Sequence, residues 1–490
     1  MNSKKKNALQ EIFKDRVSVK STDLAAYAGA KFHGTGIAPE AVVWPQSIPE
    51  VVALVKWARE TKTPLVPVSS TGDHYSGGSN PSVPSAVIVD MSRMNRIISV
   101  NRQFRMTVAE PGVTYGQLQE ELAKQGMYMM TPLAPRAGKS VVASVVDVEP
   151  RLTPNYIFNY VEPLRTCRTV WGDGQDMGTG DAMGPADPTI AQKNSQKWQI
   201  SYRGPGLIDY YRLLTESQGT MGIVTWASMH CNLLPKYHEM YFVPSDSLDK
   251  AVEFLYRITR VRFGEEIFLL SGTQFANLMG KDAADVAEIS SKAPAWIACV
   301  GIASSEVLPE MKFAQQKKDV ANIAQSCGLD FLPSVAGVTG SAALKRATSP
   351  CEGTYWKEVR KGAFLDIFFI ATMDKAEELK AVIDRLAAKE GVDPANIGTY
   401  IQPTHQGVTS SVCFTICYDP KNAAEERKAK ALFDKASQAL CNAGAFFSRP
   451  YGDWARIQMN KNAVGLDMVR KVKNIFDPDH IMNPGKVMDF

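Results

Sequence analysis

The stretch PVSSTGDHYSGGSNP, residues 67–81, decides the fold of this chain. It is rich in serine and glycine, and it joins the apolar run PLVPV (64–68) to the apolar run AVIVD (86–90). Loops of small residues let backbone N–H groups approach an anion closely, because no side chain stands in the way. The stretch therefore predicts a phosphate-binding loop after a strand. His74 within it could act as a ligand, a catalyst, a cofactor tether or a polar loop residue.

The residues before this loop alternate between strand and helix patterns. AVVWP (41–45) has the pattern of a short strand, and SIPEVVALVKWARETK (47–62) that of a helix with one apolar stripe. Ser47 and Glu50 have capping-box spacing, and Pro49 falls in the first turn, where its missing N–H costs nothing. Two strands that flank a helix, with a glycine-rich loop after the second strand, predict α/β connectivity.

The remaining chain has two further regions. Thr114 and Gln117 form a second capping-box spacing, and Asp173-Gly174 lies between strand-like runs, which predicts a hairpin rather than a dinucleotide loop. From Lys236 to about Cys441, long helix patterns alternate with strand patterns. This order predicts a second domain in which helices cover a sheet.

Composition excludes several classes of protein. A net charge of +4 over 490 residues is too small to indicate nucleic-acid binding. No apolar run is long enough for a membrane span, because AFLDIFFIATM (363–373) is interrupted by Asp366 and is typical of a buried strand. The first thirty residues lack a signal-peptide core, so we expect a cytoplasmic protein. The eight cysteines contain no CxxC and the six histidines are dispersed, so no metal site is predicted.

Four blocks resemble a known family: VVWPQSIPEVVALVKWA (42–58), PVSSTGDHYSGG with AVIVDMSRMNRI (67–97), ESQGTMGIVTWASM (216–229) and IFDPDHIMNPGKV (475–487). In this order they are similar to the FAD-linked oxidoreductases of the vanillyl-alcohol oxidase or p-cresol methylhydroxylase type. The resemblance implies an α+β fold with an FAD-binding domain of two α+β subdomains. It also implies a cap domain in which helices cover an antiparallel sheet. The boundaries expected are 1–235 for the FAD-binding domain, 236–440 for the cap, and 441–490 for a segment that returns to the FAD domain.

The same resemblance implies FAD as the cofactor and carries over its binding residues. They are Pro67, Ser69, Ser70, Thr71, Gly72, Asp73, His74, Pro132, Ser140, Ser144, Gly219, Gly222, Ile223, Val224, Asn483 and Lys486.

The resemblance says less directly whether the flavin is bound covalently. Relatives often tether FAD through a loop histidine, but Asp73 occupies the tether position here and His74 follows it. We therefore expect non-covalent FAD, with His74 forming hydrogen bonds. His405, on a cap turn marked by proline and glycine, is an alternative tether, a substrate-side acid or base, or an exposed turn residue.

Candidate catalytic residues cluster in FFSRPYGDW (446–454). The family places a tyrosine and an arginine in a similar region to stabilise a substrate phenolate, which implies roles for Arg449 and Tyr451. Tyr75 stands beside the position of the family's loop tyrosine, which is Ser76 here. These departures from the family pattern leave the phenolic substrate open.

The resemblance implies an FAD-dependent oxidoreductase that oxidises an alcohol or an alkylphenol by hydride transfer to the flavin. Two alternatives stay open: a dehydrogenase of 2-hydroxy acids such as lactate or glycolate, and a flavin electron-transfer subunit. The hydroxy-acid branch has a histidine-rich metal motif that this sequence lacks, although Arg449 suits a carboxylate. We expect a small-molecule substrate, a homodimer, and no nucleic-acid or membrane partner. A redox partner protein and the electron acceptor are left open.

Overall fold

The computed structural model describes residues 3–28, 31, 33, 36–156, 161–183, 203–204 and 206–488. These residues form three main sheets with helices packed against them. None of their helices is both long and apolar enough to cross a membrane. The predicted α+β fold with an antiparallel cap sheet is present.

The first sheet has four strands, in the spatial order Val17–Ser18, Ala41–Val43, Val87–Asp90, Leu65–Val68. The last three are parallel, and Val66 lies opposite Ile88. Helix Ile48–Thr61 connects two of them and buries its apolar stripe against the sheet. This confirms the predicted α/β connectivity and places the glycine-rich loop at the carboxyl end of Leu65–Val68.

One capping prediction was wrong and one was confirmed. The Ser47 side chain makes no cap hydrogen bond, and the Glu50 carboxylate, which would complete the box, is instead bound by Arg16 (2.7 Å) and by the backbone N–H of Gln46 (2.9 Å). Thr114 and Gln117 do form both bonds of a capping box at the start of helix Tyr115–Lys124.

The second sheet is antiparallel, in the order Ile97–Asn101, Met106–Ala109, Gly222–His230, Leu164–Trp171, Asp176–Gly178. Its last two strands form the hairpin predicted at Asp173-Gly174, with Arg168 opposite Gly178. Helices Tyr115–Lys124, Val141–Val146 and Ala463–Phe476 contribute to the core on this sheet. Residues 481–483 return to the first sheet, where the Asn483 N–H donates to the Leu65 carbonyl (2.8 Å).

The third sheet has six antiparallel strands, in the order Tyr237–Ser245, Trp296–Ser304, Ile267–Ser271, Ile397–Thr404, Thr409–Tyr418, Ala363–Ala371. Four long helices cover one face: Leu248–Arg260, Pro309–Ser326, Ala376–Glu390 and Ala423–Asn442. Three shorter helices pack on the other face: Gly272–Met279, Ala283–Lys292 and Gly340–Thr348. The part of this second face that these short helices leave uncovered is directed at the glycine-rich loop and forms one wall of a cavity.

The other elements are short or terminal. They are helices Ser3–Phe13, Ser21–Ala28, Tyr211–Leu214 and Asp453–Met459, and the paired strands Met127–Tyr128 with Asn232–Leu233 and Ser334–Val335 with Val338–Thr339.

Candidate functional site

The glycine-rich loop forms one wall of a long cleft. Gly72 has a φ of +74°, a conformation that glycine adopts without strain. Within the described part of the chain, the backbone N–H groups of Gly72, Asp73 and His74 donate to no protein acceptor, whereas that of Thr71 donates to the Gly138 carbonyl (2.9 Å). A run of unpaired amides in a loop of small residues is suited to bind a phosphate group.

The opposite wall depends on a close backbone approach at Gly219. Its φ is +72°, and a Cβ built there would lie 2.4 Å from Cγ of Pro67. Only glycine therefore allows the 218–224 segment to lie against the loop. Gly222, Ile223 and Val224 then begin a strand whose first residues face the cleft.

Fourteen of the sixteen cofactor residues predicted from the sequence line the cleft, support its loop or lie outside both. Those that line the cleft are Pro67, Ser69, Ser70, His74, Gly219, Gly222, Ile223 and Val224. Those that support its loop are Thr71, Gly72, Asp73 and Ser140, whose N–H donates to Oγ of Ser70 (3.1 Å). Pro132 lines a neighbouring cavity, and Ser144 is buried in a hydrogen-bond network with Glu149 (2.5 Å) and Arg151 (2.9 Å).

Asn483 and Lys486 lie behind the loop. Nδ2 of Asn483 donates to the carbonyls of Gly78 (2.9 Å) and Gln218 (2.6 Å), and so ties the two walls together. Nζ of Lys486 donates to the Gly77 carbonyl (2.6 Å), and burial lowers the pKa of this lysine to about 8. Both residues are placed to hold the loop; direct contact with the cofactor stays a prediction.

His74 is half-buried in the cleft beside Tyr27, with 6.3 Å between the ring centres. Burial, with the nearby charges of Arg136 and Lys139, lowers the pKa of His74 to about 4. The imidazole is therefore neutral at physiological pH. Asp73 points away to Lys31, with which it forms an ion pair of 2.8 Å.

A second cavity adjoins the cleft and shares Tyr75, Ser76, Arg136, Lys139 and Tyr451 with it. We call it the aromatic cavity. Its aromatic lining residues are Tyr75, Tyr355, Trp356, Phe364, Phe368, Tyr400 and Tyr451. Seven aromatic side chains around one space favour a flat ligand, and charged side chains, among them Lys357, Asp366 and Arg449, line the same space.

Arg449 supplies a cation to this cavity. Its guanidinium carbon lies 4.4 Å from the ring centre of Phe368, a cation–π contact. Among the described residues, no carboxylate lies within ion-pair distance of it, although Glu149, Asp147 and Glu216 lie close enough to interact electrostatically. Arg449 therefore presents a planar fork of donors to whatever fills the cavity.

Tyr451 and Asp147 stand between the cleft and the cavity. Oη of Tyr451 donates to Oδ2 of Asp147 (3.3 Å). Burial, followed by the charge of Asp147, raises the pKa of Tyr451 well above its usual range, and burial also raises the pKa of Asp147. Glu149 differs: burial opposes its ionisation, but Lys139 at 2.6 Å and Arg449 lower its pKa to about 2.

The other two predicted catalytic residues, Tyr75 and His405, line different cavities. Tyr75 lines both spaces and packs against Phe364 (4.9 Å between ring centres) and Tyr355 (5.3 Å). His405 lies in an adjoining compartment that Arg449 also lines, and its Nδ1 is 3.2 Å from Oγ1 of Thr409. Burial lowers the pKa of His405. The structure thus brings Arg449, Tyr451 and Tyr75 together and sets His405 beside them.

Several residues of the site were not predicted from the sequence: Arg136, Lys139, Asp147, Glu149, Lys357 and Asp366. Two signals existed. Arg136 and Lys139 lie in LAPRAGKS (133–140), next to predicted cofactor residues, and Asp366 interrupts an otherwise apolar strand. Within the described ranges, no group of three His, Cys, Asp or Glu side chains is arranged to hold a metal ion.

Comparison with known proteins decides the family. The FAD linked oxidases, C-terminal domain family matches residues 234–487, and the FAD binding domain family matches residues 39–146. The chain belongs to the FAD-linked oxidases. This confirms the predicted family, the FAD cofactor and the class of FAD-dependent oxidoreductase.

Relatives within this group act on different substrates. The chain is 30% identical over 227 residues to 1'-carboxy-chondrochloren decarboxylase of Chondromyces crocatus, and 29% over 199 residues to D-2-hydroxyglutarate dehydrogenase of Stutzerimonas stutzeri. These matches span 45% and 40% of the chain but only 39% and 38% of those two proteins. A mitochondrial D-lactate dehydrogenase (cytochrome) of Kluyveromyces lactis is 20% identical over 96% of the chain and 78% of its own length.

Solved structures confirm the predicted fold. A 4-ethylphenol oxidase from Gulosibacter chungangensis in complex with isoeugenol has a TM-score of 0.83 at 18% identity, over 99% of this chain and 98% of that one. Substrate-bound p-cresol methylhydroxylase also has a TM-score of 0.83, at 19% identity, over 100% and 98% of the two chains.

The residues present fit FAD. The small loop residues Ser69 and Ser70 line the cleft, where a pyrophosphate can approach their backbone, and the cleft continues past Gly219 to the aromatic cavity. An anion held there would lie near Arg136, whose Nη1 donates to the Thr71 carbonyl (3.1 Å).

Proposed function

We propose that the protein oxidises an aryl alcohol or an alkylphenol, with the substrate held in the aromatic cavity. The observation that supports this most is the combination of seven aromatic side chains with Arg449, a guanidinium that lacks a carboxylate partner among the described residues. A flat aromatic substrate would stack on the aromatic side chains of the cavity, and its oxygen would accept hydrogen bonds from the Arg449 guanidinium. A small hydroxy acid would contact fewer of these seven side chains.

Bound FAD supplies the chemistry, because it accepts the hydride equivalent that the substrate carbon loses. The chain's own residues would prepare the substrate. Arg449 and Tyr451 would hold the phenolic oxygen as its negative charge develops: Arg449 would provide the cation, and Tyr451 would redirect its one O–H from Asp147 to the substrate. Tyr75 and Phe364 would orient the ring by stacking. In oxidation of an alcohol or of a phenol, the hydroxyl proton leaves separately from the hydride, and Asp147, which lines the cleft beside Tyr451, is a candidate acceptor, since burial raises its pKa.

The cofactor-binding role of the residues named above is part of this proposal, as is the division into 1–235, 236–440 and 441–490. We further propose that FAD is held non-covalently, because the position at which relatives tether the flavin is Asp73 here, a carboxylate paired with Lys31. A homodimer, a cytoplasmic location and a redox partner protein stay predictions. The electron acceptor is unassigned; one relative, 29% identical over 143 residues, is the flavoprotein subunit of 4-cresol dehydrogenase of Pseudomonas putida.

A second candidate is the oxidation of a 2-hydroxy acid. It is favoured by the D-lactate and D-2-hydroxyglutarate dehydrogenases among the relatives, and by the fit of a guanidinium fork to a carboxylate. In that case Arg449 would bind the carboxylate, and the Tyr451 hydroxyl would have no phenolate to stabilise.

Binding to Tyr451→Phe separates the two candidates. Titration of 4-ethylphenol under anaerobic conditions, followed by the absorbance of the bound flavin, gives its dissociation constant. If the substrate is phenolic, loss of the hydroxyl raises this constant about tenfold, equivalent to about 1.4 kcal/mol, and leaves that of D-lactate unchanged. Equal effects on both ligands, or no response to 4-ethylphenol in the wild type, would contradict the proposal. Tyr418→Phe, on a strand end away from the cavity, is the control.

A further inference from the structure

Strand Ala363–Ala371 has one feature that the proposed function leaves unused. Successive side chains of a strand point to opposite faces, and here Leu365 and Ile367 enter the core beneath the long helices. Phe364, Asp366 and Phe368 face the other way and line the aromatic cavity. Asp366 is therefore a carboxylate placed between two aromatic rings at the wall of a substrate site, where burial of an unpaired charge would be costly.

Asp366 is paired there with Lys357, which is only 8% exposed. Nζ of Lys357 lies 2.5 Å from Oδ2 of Asp366, and both residues line the cavity. Burial alone would lower the pKa of Lys357, but the neighbouring Asp366 raises it above its usual value. The pair is thus an ammonium and a carboxylate, with no net charge.

Two buried residues fix the carboxylate from behind. Oγ1 of Thr415 donates to the other oxygen of Asp366 (2.7 Å), and Nε2 of Gln274 donates to Oγ1 of Thr415 (3.0 Å). Thr415 and Gln274 are both fully buried. This chain of hydrogen bonds occupies both carboxylate oxygens and orients Lys357 through Asp366.

The ammonium is not fully used by the protein. A lysine ammonium has three N–H donors, and in the described structure Asp366 is the one oxygen acceptor that Lys357 engages. Its other neighbours are Cys413, whose sulfur is 3.9 Å away, and the rings of Trp356 and Phe364 at 5.1 and 5.5 Å. Burial raises the pKa of Cys413 to about 12, so it is a neutral thiol and a weak acceptor.

We propose that Lys357, positioned by Asp366, donates a hydrogen bond to a second oxygen of the substrate, at the end remote from Arg449. This inference rests on the proposed function and narrows its substrate class to aromatic compounds with oxygen at both ends. Asp366 and Phe368 are two residues apart on one face of a strand, a spacing of roughly 7 Å. Arg449 packs on Phe368 and Lys357 pairs with Asp366, and both cations line the aromatic cavity, so one aromatic ligand can contact the two of them. A hydroxybenzyl alcohol has this form, whereas an alkylphenol lacks the second oxygen.

The test compares 4-hydroxybenzyl alcohol with 4-methylphenol, which differ by one oxygen. The concentration dependence of anaerobic flavin reduction gives a dissociation constant for each. In the wild type we expect 4-hydroxybenzyl alcohol to bind at least about tenfold more tightly. In Lys357→Met/Asp366→Asn this ratio should fall to near one, with FAD content and binding of 4-methylphenol unchanged. Removing both charges avoids leaving one of them buried and unpaired.

Lys361→Met/Glu425→Gln is the matched control, since it removes an ion pair of 3.0 Å in the same domain outside the cavity and should leave the ratio unchanged. Reduction by both compounds with equal dissociation constants in the wild type would overturn the inference while the proposed function stands, and this result needs no variant. An unchanged ratio in the folded double variant would also overturn it. Reduction by neither compound would overturn the proposed function and the inference together.

Discussion

Arg449 stacks on Phe368, with 4.4 Å between the guanidinium carbon and the centre of the ring. The contact holds the guanidinium against the wall of the aromatic cavity, which both residues line. Since the neighbouring Glu149 is already paired with Lys139 at 2.6 Å, Arg449 is available for a ligand. An anion that enters the cavity would complete its hydrogen bonds, which makes this residue the anchor of the proposed substrate site.

The first prediction concerns this anchor. Arg449→Lys keeps the charge but loses the planar fork and most of the stacking on Phe368. We expect FAD binding to be intact and anaerobic flavin reduction to slow by at least about tenfold, equivalent to about 1.4 kcal/mol of transition-state stabilisation. Arg456→Lys, on an exposed helix position, should reduce the flavin at the wild-type rate. A wild-type rate of flavin reduction in Arg449→Lys would show that Arg449 does not bind the substrate and would make His405 the next residue to substitute.

The second prediction concerns the cleft. Gly219→Ala would bring a Cβ to 2.4 Å from Pro67 and would force a residue with a side chain to adopt a φ of +72°. The two walls must then separate, so we expect the purified protein to contain much less FAD. Gly116→Ala is the control, because nothing lies within 4 Å of its Cβ and alanine favours its helix. FAD content measured by absorbance checks both, and equal content in the two variants would show that the close approach at Gly219 is not required.

The sequence predicts those parts of the molecule in which local pattern and packing agree. Helix Ile48–Thr61, the loop after Leu65–Val68 and the hairpin at Asp173-Gly174 follow from apolar periodicity and turn residues. Strand Ile397–Thr404 was missed, because IGTYIQPT contains glycine, glutamine and proline, which mask its alternation. Its burial comes from its neighbours in the sheet, which local sequence does not report.

The candidate site was predictable only in part, for a related reason. Arg449 and Tyr451 were found through the family resemblance, and Asp366 was visible as a charge in an apolar run. Its partner Lys357 has no local signal, because the pair depends on how the segment before the strand folds back over it. Likewise, Ser144 fits the family pattern in sequence, but its hydroxyl is committed to Glu149 and Arg151.

The third prediction concerns attachment of the flavin. Acid precipitation should release most of the FAD into the supernatant, because Asp73 occupies the usual tether position and is engaged by Lys31. Absorbance of the supernatant and of the redissolved pellet measures the two fractions. Colour that stays with the pellet would show a covalent bond, and its loss in His74→Asn or in a His405 variant would locate it.

The fourth prediction concerns pH. The pKa of His74 is about 4 in the folded protein, below the usual 6.5, because burial disfavours the imidazolium. As pH falls from 6.5 towards 4, the unfolded chain binds this proton before the folded one, so the free energy of unfolding falls by at most about 1.4 kcal/mol per pH unit from this group. Urea unfolding of the FAD-loaded protein should show a shallower fall in His74→Asn. An identical slope in both proteins would show that His74 titrates normally.

The central claim, that the cavity takes an aryl substrate, is tested most directly by the rate of flavin reduction in the absence of oxygen. The wild-type protein is mixed with 4-hydroxybenzyl alcohol or with D-lactate, each at saturating concentration, and loss of the oxidised flavin absorbance is followed. We predict reduction at least about tenfold faster with the aryl alcohol, because stacking in the aromatic cavity and the Arg449 anchor together orient its reacting carbon. Faster reduction by D-lactate would contradict the account and assign Arg449 to a carboxylate.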